Sequence, residues 1–337
     1  MSAMLPDGWV ISTYAAVHAR DAGGVGGGLE LLEAVAAWPE CSGIELPIDT
    51  TGPRYSALDV LRRTPAHSTF VLTTLPLTMD RRARNPAYGL ASRDRSVRRR
   101  AVQDLTPAIA CARALHAAGH TTAIHVYSAP GGDYAALGAL ARSLSELARL
   151  APEIPFMLEH CDSHRAAGAA QKGFLPLRDE TAAVIASGTN TRITVNWARS
   201  AIDARGPHGP AEHVSLLSSQ GMLGGFVLSG CSDRATAWGP AWCDEHLPTS
   251  IRIDGDGSAP AGDTTLLTQH AVGRAIEAMT SPPVFVGLKL ARPRQEEPMA
   301  PLLLGGFLRQ QLVTLTSWFT DERVLIHRKP PRNKQPQ

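Results

Sequence analysis

The densest group of chemically active side chains lies in one short stretch of the chain, residues 154–164. Five apolar residues open the stretch, and a set of candidate ligands and proton carriers closes it: Glu159, His160, Cys161, Asp162 and His164. Carboxylates and imidazoles transfer protons near neutral pH when burial adjusts their pKa, and they also bind divalent metals. The stretch therefore predicts a site for proton transfer or metal binding.

The elements that position this stretch follow from the alternation of short apolar, β-branched runs with helical patterns. The predicted strands are 9–13, 43–46, 69–75, 121–127, 154–159, 192–197, 225–229 and 284–290. The predicted helices are 28–38, 56–63, 93–118, 134–150, 179–186, 211–219, 264–279 and 301–319. The glycine-rich run 23–28 is predicted to be a flexible loop.

This order predicts an α/β fold, a single-domain (β/α)8 TIM barrel over residues 1–327, with a disordered polar tail at 328–337. A doubly wound open sheet is the alternative.

Side-chain alternation along the strands predicts which residues face the barrel interior. In the fifth predicted strand, Phe156 and Leu158 take one face, while Met157 and Glu159 take the other. In six strands the inward set ends in a polar residue near the C-terminal edge, where barrel enzymes hold their active sites. The predicted inner ring is Glu45, His125, Glu159, Asn196, Ser229 and Lys289.

The residue types of this ring predict proton-transfer chemistry. Glu159 is the predicted proton carrier, and His125 is a second acid or base. Lys289 is predicted to be catalytic as a fixed cation for an oxyanion, and a Schiff-base nucleophile is the alternative. A structural ion pair of Lys289 and a core role for His125 remain open.

Further substrate-binding candidates lie in loops that follow the strands. Arg199 suits an anionic group, although a helix pair with Asp203 is equally compatible with the spacing. The long segment 230–263 and the segment 77–92 are candidate covers of the site or subunit interfaces, and Trp238 is a candidate wall for a sugar. The predicted substrate-binding residues are Glu45, His160, Asp162, Lys172, Asn196, Arg199, Ser229, Trp238 and His246.

The composition gives no indication of a nucleic-acid or membrane partner, so the predicted partner is a small, carbohydrate-like molecule. A net charge of +2 from 33 basic and 31 acidic residues predicts no nucleic-acid partner, and no apolar run reaches membrane-spanning length. Five widely spaced cysteines without a CxxC pair predict a reducing, cytoplasmic location. The sequence leaves a homo-oligomer open.

Several short motifs, in a fixed order, resemble an uncharacterised bacterial domain family of the xylose-isomerase-like sugar phosphate isomerase/epimerase barrels. They are GIELP at 43–47, LTTLP at 72–76, YGLAS at 88–92, IHVYSAP at 124–130, LEHCD at 158–162, QKGF at 171–174, NWARSAI at 196–202 and WCDEH at 242–246. The resemblance implies a barrel that acts on a carbohydrate-like substrate.

In better-known members of that superfamily, a divalent metal is held by acidic and histidine side chains on strands five to eight. Here Glu159 matches, but the other three positions read Asn196, Ser229 and Lys289, which form a poor cage for a hard cation. No cofactor is therefore firmly predicted. A divalent metal, if bound, would use Glu159, His160 and Asp162, provided that the chain turns directly after Glu159.

Together these features predict an isomerase-like or epimerase-like enzyme that acts on a polar, anionic hydroxy-carbonyl compound by proton transfer. Two alternatives remain open. One is a lyase or aldolase that forms a Schiff base at Lys289, and the other is a non-catalytic carbohydrate-binding barrel.

Overall fold

The computed structural model describes residues 8–17, 24–164, 168, 170–249, 265–292 and 300–320. The predicted tail at 328–337 lies outside these residues, and the domain limits stay a prediction.

The strands of the described residues close into a barrel. They are β1 (Trp9–Ile11), β2 (Cys41–Asp49), β3 (Gly52–Pro53), β4 (Thr69–Thr73), β5 (Thr121–Val126), β6 (Phe156–Glu159), β7 (Arg192–Asn196), β8 (Leu223–Leu228) and β9 (Phe285–Leu288). All but β3 pair in parallel, and β1 pairs with both β2 and β9. Because β1 is hydrogen-bonded on both sides, the parallel sheet has no free edge at this strand and closes on itself. The predicted (β/α)8 barrel is confirmed, and the open sheet is excluded.

Helices surround the barrel. They are α1 (Gly24–Ala36), α2 (Ala57–Leu61), α3 (Leu75–Arg84), α4 (Arg95–Gln103), α5 (Thr106–Ala117), α6 (Leu137–Leu150), α7 (Leu177–Ser187), α8 (Trp197–Ala204), α9 (Gly209–Ser219), α10 (Gln269–Ala278) and α11 (Pro301–Thr320). In the described part of the chain, no helix is both long and apolar enough to cross a membrane.

The helices of the structure differ from the prediction in three places. The predicted helix 93–118 divides into α4 and α5, because Pro107 in the first turn of α5 has no amide hydrogen to continue the ladder. Part of the predicted cover 77–92 is helix α3, and α8 follows β7 directly.

The prediction of a flexible loop at 23–28 was wrong from Gly24 onward, because α1 begins there. Leu31, Leu32 and Val35 of this helix are fully buried. Their packing outweighs the low helix propensity of glycine. Gly28 also has a steric role, since a Cβ atom there would lie 2.3 Å from the Tyr55 hydroxyl.

The interior of the barrel is apolar at its floor and polar at its mouth. The floor is a cluster of alternate strand residues: Val10, Val71, Ala123, Met157, Val227 and Phe285. Gly225 makes room for the ring of Phe285, because a Cβ atom there would lie 2.4 Å from that ring. Ile124 and Leu158 have the opposite parity and pack in the large core cluster, as the alternation predicts.

Candidate active site

Three buried side chains meet at the C-terminal mouth of the barrel, and we call them the inner cluster: Glu45 of β2, His125 of β5 and Glu159 of β6. Nδ1 of His125 lies 3.8 Å from Glu45 Oε1 and 3.6 Å from Glu159 Oε2, and it has no hydrogen-bond partner among the residues that the structure describes. Its Nε2 lies 3.1 Å from Thr194 Oγ1. The imidazole is therefore held at one nitrogen and open at the other.

Lys289, directly after β9, supplies one cation to the inner cluster. Its Nζ lies 3.1 Å from Glu45 Oε2 and 5.0 Å from the centre of the Tyr14 ring. Burial alone would lower the pKa of Lys289, but Glu45 outweighs it and raises the pKa well above its usual value. The lysine is thus charged and bonded to Glu45.

Arg199 of α8 supplies the second cation. Its Nη1 lies 2.7 Å from Glu159 Oε1, and its Nε donates to Asp244 Oδ2 at 2.9 Å. Burial tends to raise the pKa of Glu159, yet Arg199 keeps that pKa well below its usual range. The alternative helix pair of Arg199 with Asp203 does not form, because Asp203 accepts hydrogen bonds from Ser163 instead.

Asn196 connects this arginine to the strand. Its Oδ1 accepts the backbone N–H of Arg199 at 3.4 Å and so caps α8, while its Nδ2 donates to Glu159 Oε1 at 3.3 Å. The predicted ring position of Asn196 therefore holds the carboxylate and the helix start in one arrangement.

The segment after β8 closes the mouth above these groups. Asp244 Oδ2 accepts from Lys172 Nζ at 2.8 Å, and Asp244 Oδ1 lies 3.2 Å from His246 Nδ1. His246 Nδ1 is also 2.8 Å from Ser229 Oγ, and burial lowers the pKa of His246 to about 4. The cavity that remains beside Glu45 and His125 is about 10 Å³, which is room for about one water molecule.

A family model described as a domain of unknown function, DUF4862, matches residues 10–301. The chain belongs to this family. It is 31% identical over 238 residues to the uncharacterized protein STM3670 of Salmonella typhimurium, a match that covers 68% of this chain and 72% of the relative.

Solved structures similar to this DUF4862 chain include proteins described as xylose isomerase-like TIM barrels. A fusion of such a barrel with a 4-hydroxyphenylpyruvate dioxygenase has a TM-score of 0.57 at 12% identity, and the match covers 96% of this chain but 45% of the fusion protein. The IolI protein with a bound zinc atom has a TM-score of 0.59 at 11% identity, with 93% and 99% covered. A xylose isomerase domain protein of Salmonella typhimurium has a TM-score of 0.51 at 13% identity, with 95% and 100% covered. These likenesses show the fold.

The inner cluster of this family member does not fit a divalent metal. Both carboxylates are already paired with cations, Glu45 with Lys289 and Glu159 with Arg199. Two unit charges 4 Å apart interact by about 4 kcal/mol at an effective dielectric constant of 20, and a divalent ion doubles that repulsion. A metal on these oxygens would therefore have to displace both cations.

The metal set predicted from the sequence does not converge, because the chain continues to alternate past Glu159. His160 faces away from the inner cluster and bonds to Glu180 Oε2 through Nδ1 at 2.7 Å. Asp162 instead orders the next loop, where its Oδ2 accepts the backbone N–H groups of Gln171 at 2.6 Å and Lys172 at 2.8 Å. Glu159, His160 and Asp162 thus have three separate sets of partners and do not form one metal site.

Trp238 lies in the closing segment as predicted, but its visible role is structural. Its Nε1 donates to the carbonyl of Ala291 at 2.7 Å, and the side chain is buried. A contact of Trp238 with a sugar stays a prediction.

Tyr127 and Asp244 belong to the site, although the sequence did not select them. The Tyr127 hydroxyl donates to Glu159 Oε2 and lies 2.6 Å from Thr73 Oγ1. The sequence contained a signal for Tyr127, because it lies two residues after His125 and therefore points to the same face of the strand. Asp244 comes from an irregular segment, where no periodicity indicates which side chains point to the mouth.

Proposed function

We propose that this protein is an isomerase-like or epimerase-like enzyme that moves a proton at the carbon next to the carbonyl of an anionic hydroxy-carbonyl compound. One observation carries the proposal. The open Nδ1 of His125 lies between two carboxylates, beside the fixed ammonium group of Lys289. Proton carriers next to a fixed cation suit a reaction that passes through an enediolate.

In the proposed reaction, His125 and Glu159 form the proton-transferring pair. One of them takes the proton from carbon, and the electron pair moves onto the carbonyl oxygen, which becomes an oxyanion. Lys289 stabilises that oxyanion. Return of a proton to the opposite face of the same carbon gives the epimer. Return to the former carbonyl carbon, with transfer of the hydroxyl proton to the oxyanion, gives the isomer.

The contacts of Asp244 support an anionic substrate. Its carboxylate receives hydrogen bonds from both Lys172 and Arg199, as the carboxylate or phosphate group of a ligand would. Arg199 Nη2 has no hydrogen-bond partner among the described residues. In this proposal, the anionic group of the substrate replaces Asp244 on the two cations, and this exchange opens the closed mouth.

The ionised state of Lys289 supports the isomerase over the lyase or aldolase alternative. A Schiff base requires a neutral amine as the nucleophile. Glu45 at 3.1 Å raises the pKa of Lys289 and keeps the amine protonated.

Exchange of carbon-bound hydrogen with solvent tests this proposal without knowledge of the product. The protein is incubated in D2O with a panel of aldose and ketose phosphates and hydroxy-keto acids, and mass spectrometry measures deuterium uptake. We expect uptake in one substrate class, and we expect His125→Asn to lower the rate by about 10²-fold or more.

His116→Asn, on the exposed face of α5, is the matched control and should exchange at the wild-type rate. Uptake should also persist in a metal chelator. The proposal fails if no compound of the panel exchanges, or if His125→Asn exchanges as fast as the control.

A further inference from the structure

A second group of ligand-type side chains lies on the other face of β6, and we call it the outer cluster: His160, Asp203 of α8 and His213 of α9. One potential ligand atom from each residue lies within 4.8 Å of the other two. His160 is fully buried, whereas Asp203 and His213 are half-buried. The cluster therefore lies between the barrel wall and the helix ring, with a path to solvent.

Neighbouring side chains orient both imidazoles of the outer cluster. Glu180 Oε2 bonds to Nδ1 of His160 at 2.7 Å, and Ser200 Oγ lies 2.9 Å from Nδ1 of His213. On each ring, Nε2 is then the nitrogen available to a ligand. A carboxylate on the far nitrogen of a histidine is the usual support of a metal-binding imidazole.

One atom of the outer cluster lacks the hydrogen-bond partner that its burial calls for, and a carboxylate oxygen faces it. Nε2 of His160 is buried, has no hydrogen-bond partner in the described part of the chain, and lies 3.8 Å from Asp203 Oδ2. The other oxygen of Asp203 accepts the N–H and the hydroxyl of Ser163, each at 2.8 Å. Asp203 is thus fixed through Oδ1, with Oδ2 directed at the unpartnered nitrogen.

Among the described residues, the charged partner of Glu180 and Asp203 is an imidazole, because His160 lies 2.7 Å from Glu180 Oε2 and 3.8 Å from Asp203 Oδ2. Within the described residues, no lysine or arginine forms an ion pair with Glu180 or Asp203. Two buried or half-buried carboxylates beside two imidazoles match the charge of one divalent ion.

We propose that His160, Asp203 and His213 bind a zinc ion, with Glu180 and Ser200 as positioning residues. Two imidazole nitrogens and one carboxylate oxygen are a common ligand set for zinc. Tetrahedral zinc requires its ligand atoms about 3.3 Å apart, so small side-chain rotations complete the site. A water molecule can take the fourth position, because the Asp203 side chain is 16% exposed.

The proposed ion would link β6 to α8 and α9 and so stabilise the barrel wall next to Glu159. This inference is independent of the proposed reaction, because the inner cluster lies on the opposite face of the strand.

Zinc titration of the chelator-treated full chain tests the proposal. We expect one zinc per chain by elemental analysis and calorimetry, with a rise in Tm on binding. Cobalt should bind in place of zinc and give the intense visible absorption of tetrahedral Co²⁺. We expect Glu180→Gln to weaken zinc binding by about 10–100-fold and His213→Gln to weaken it by more.

His125→Asn is the matched control, because it alters the inner cluster and should leave zinc affinity unchanged. Circular dichroism checks that each variant folds, and the cobalt spectrum of the unmodified chain gives a result even if a variant does not. Absence of stoichiometric zinc in the wild type overturns the proposal. Loss of zinc in His125→Asn with retention in His213→Gln overturns it as well, because the ion would then belong to the inner cluster.

Discussion

The two faces of β6 carry clusters of the same residue types in opposite electrostatic settings. The inner cluster, which includes Glu159, has Lys289 and Arg199 bonded to its carboxylates at 3.1 and 2.7 Å. The outer cluster, which includes His160, has no such cation among the described residues. The inner cluster therefore has fixed cations, while the counter-charge of the outer cluster is an imidazole, which a metal ion can replace.

This difference explains why residue type alone does not identify a metal site. Histidine and carboxylate side chains within 4.8 Å of one another occur in both clusters. A buried carboxylate needs a counter-charge, and a lysine or arginine meets that need as well as a metal does. The decisive observation is which cation is already present.

The largest expected effect comes from removal of a built-in cation. Arg199→Met leaves the buried carboxylates of Glu159 and Asp244 without their shared partner, and we expect the free energy of unfolding to fall by about 3–5 kcal/mol. Urea unfolding measures the change.

The control for this variant is Arg149→Met, on the exposed side of α6, which should change stability by less than about 0.5 kcal/mol. Added zinc should not restore Arg199→Met. Restoration by zinc would mean that the inner cluster accepts a metal in place of the arginine, and the contrast between the clusters would not hold.

The sequence predicted the inner cluster because strand alternation is fixed by backbone geometry. Once residues 43–46 and 121–127 are assigned as strands, Glu45 and His125 must face the same interior as Glu159. The same rule predicted that His160 points away unless the chain turns at once, and the structure shows that it does not turn.

Strand alternation could not predict which residues from helices and loops contact these side chains. Asp203 and His213 lie on two helices that follow β7, so only the assembled barrel brings them to His160. Asp162 was close in sequence but is used by the backbone of its own loop. Asp244 contacts Arg199 from an irregular segment. Side chains there follow no helix or strand period, so the sequence does not indicate which of them point to the site.

A smaller effect is expected from the carboxylate that closes the inner site. Asp244→Asn removes one charge but keeps an acceptor for Lys172 and Arg199, so we expect a loss of about 2 kcal/mol. The two cations then lack an anion, and inorganic phosphate should raise the Tm of this variant more than that of the wild type.

Asp133→Asn, at an exposed position between β5 and α6, is the control and should respond to phosphate as the wild type does. An equal phosphate response in Asp244→Asn and the wild type would argue that Lys172 and Arg199 do not form an anion site.

The smallest expected effect comes from a neutral partner of the inner cluster. Tyr127→Phe removes the hydroxyl that donates to Glu159 and contacts Thr73, and we expect a loss of about 1 kcal/mol because Arg199 and Asn196 still hold the carboxylate. Tyr134→Phe, at a half-exposed ring, should be neutral in the same urea measurement. A loss as large as that of Arg199→Met would mean that the hydroxyl stabilises Glu159 as much as the cation does, and the built-in charge would no longer distinguish the inner cluster from the outer one.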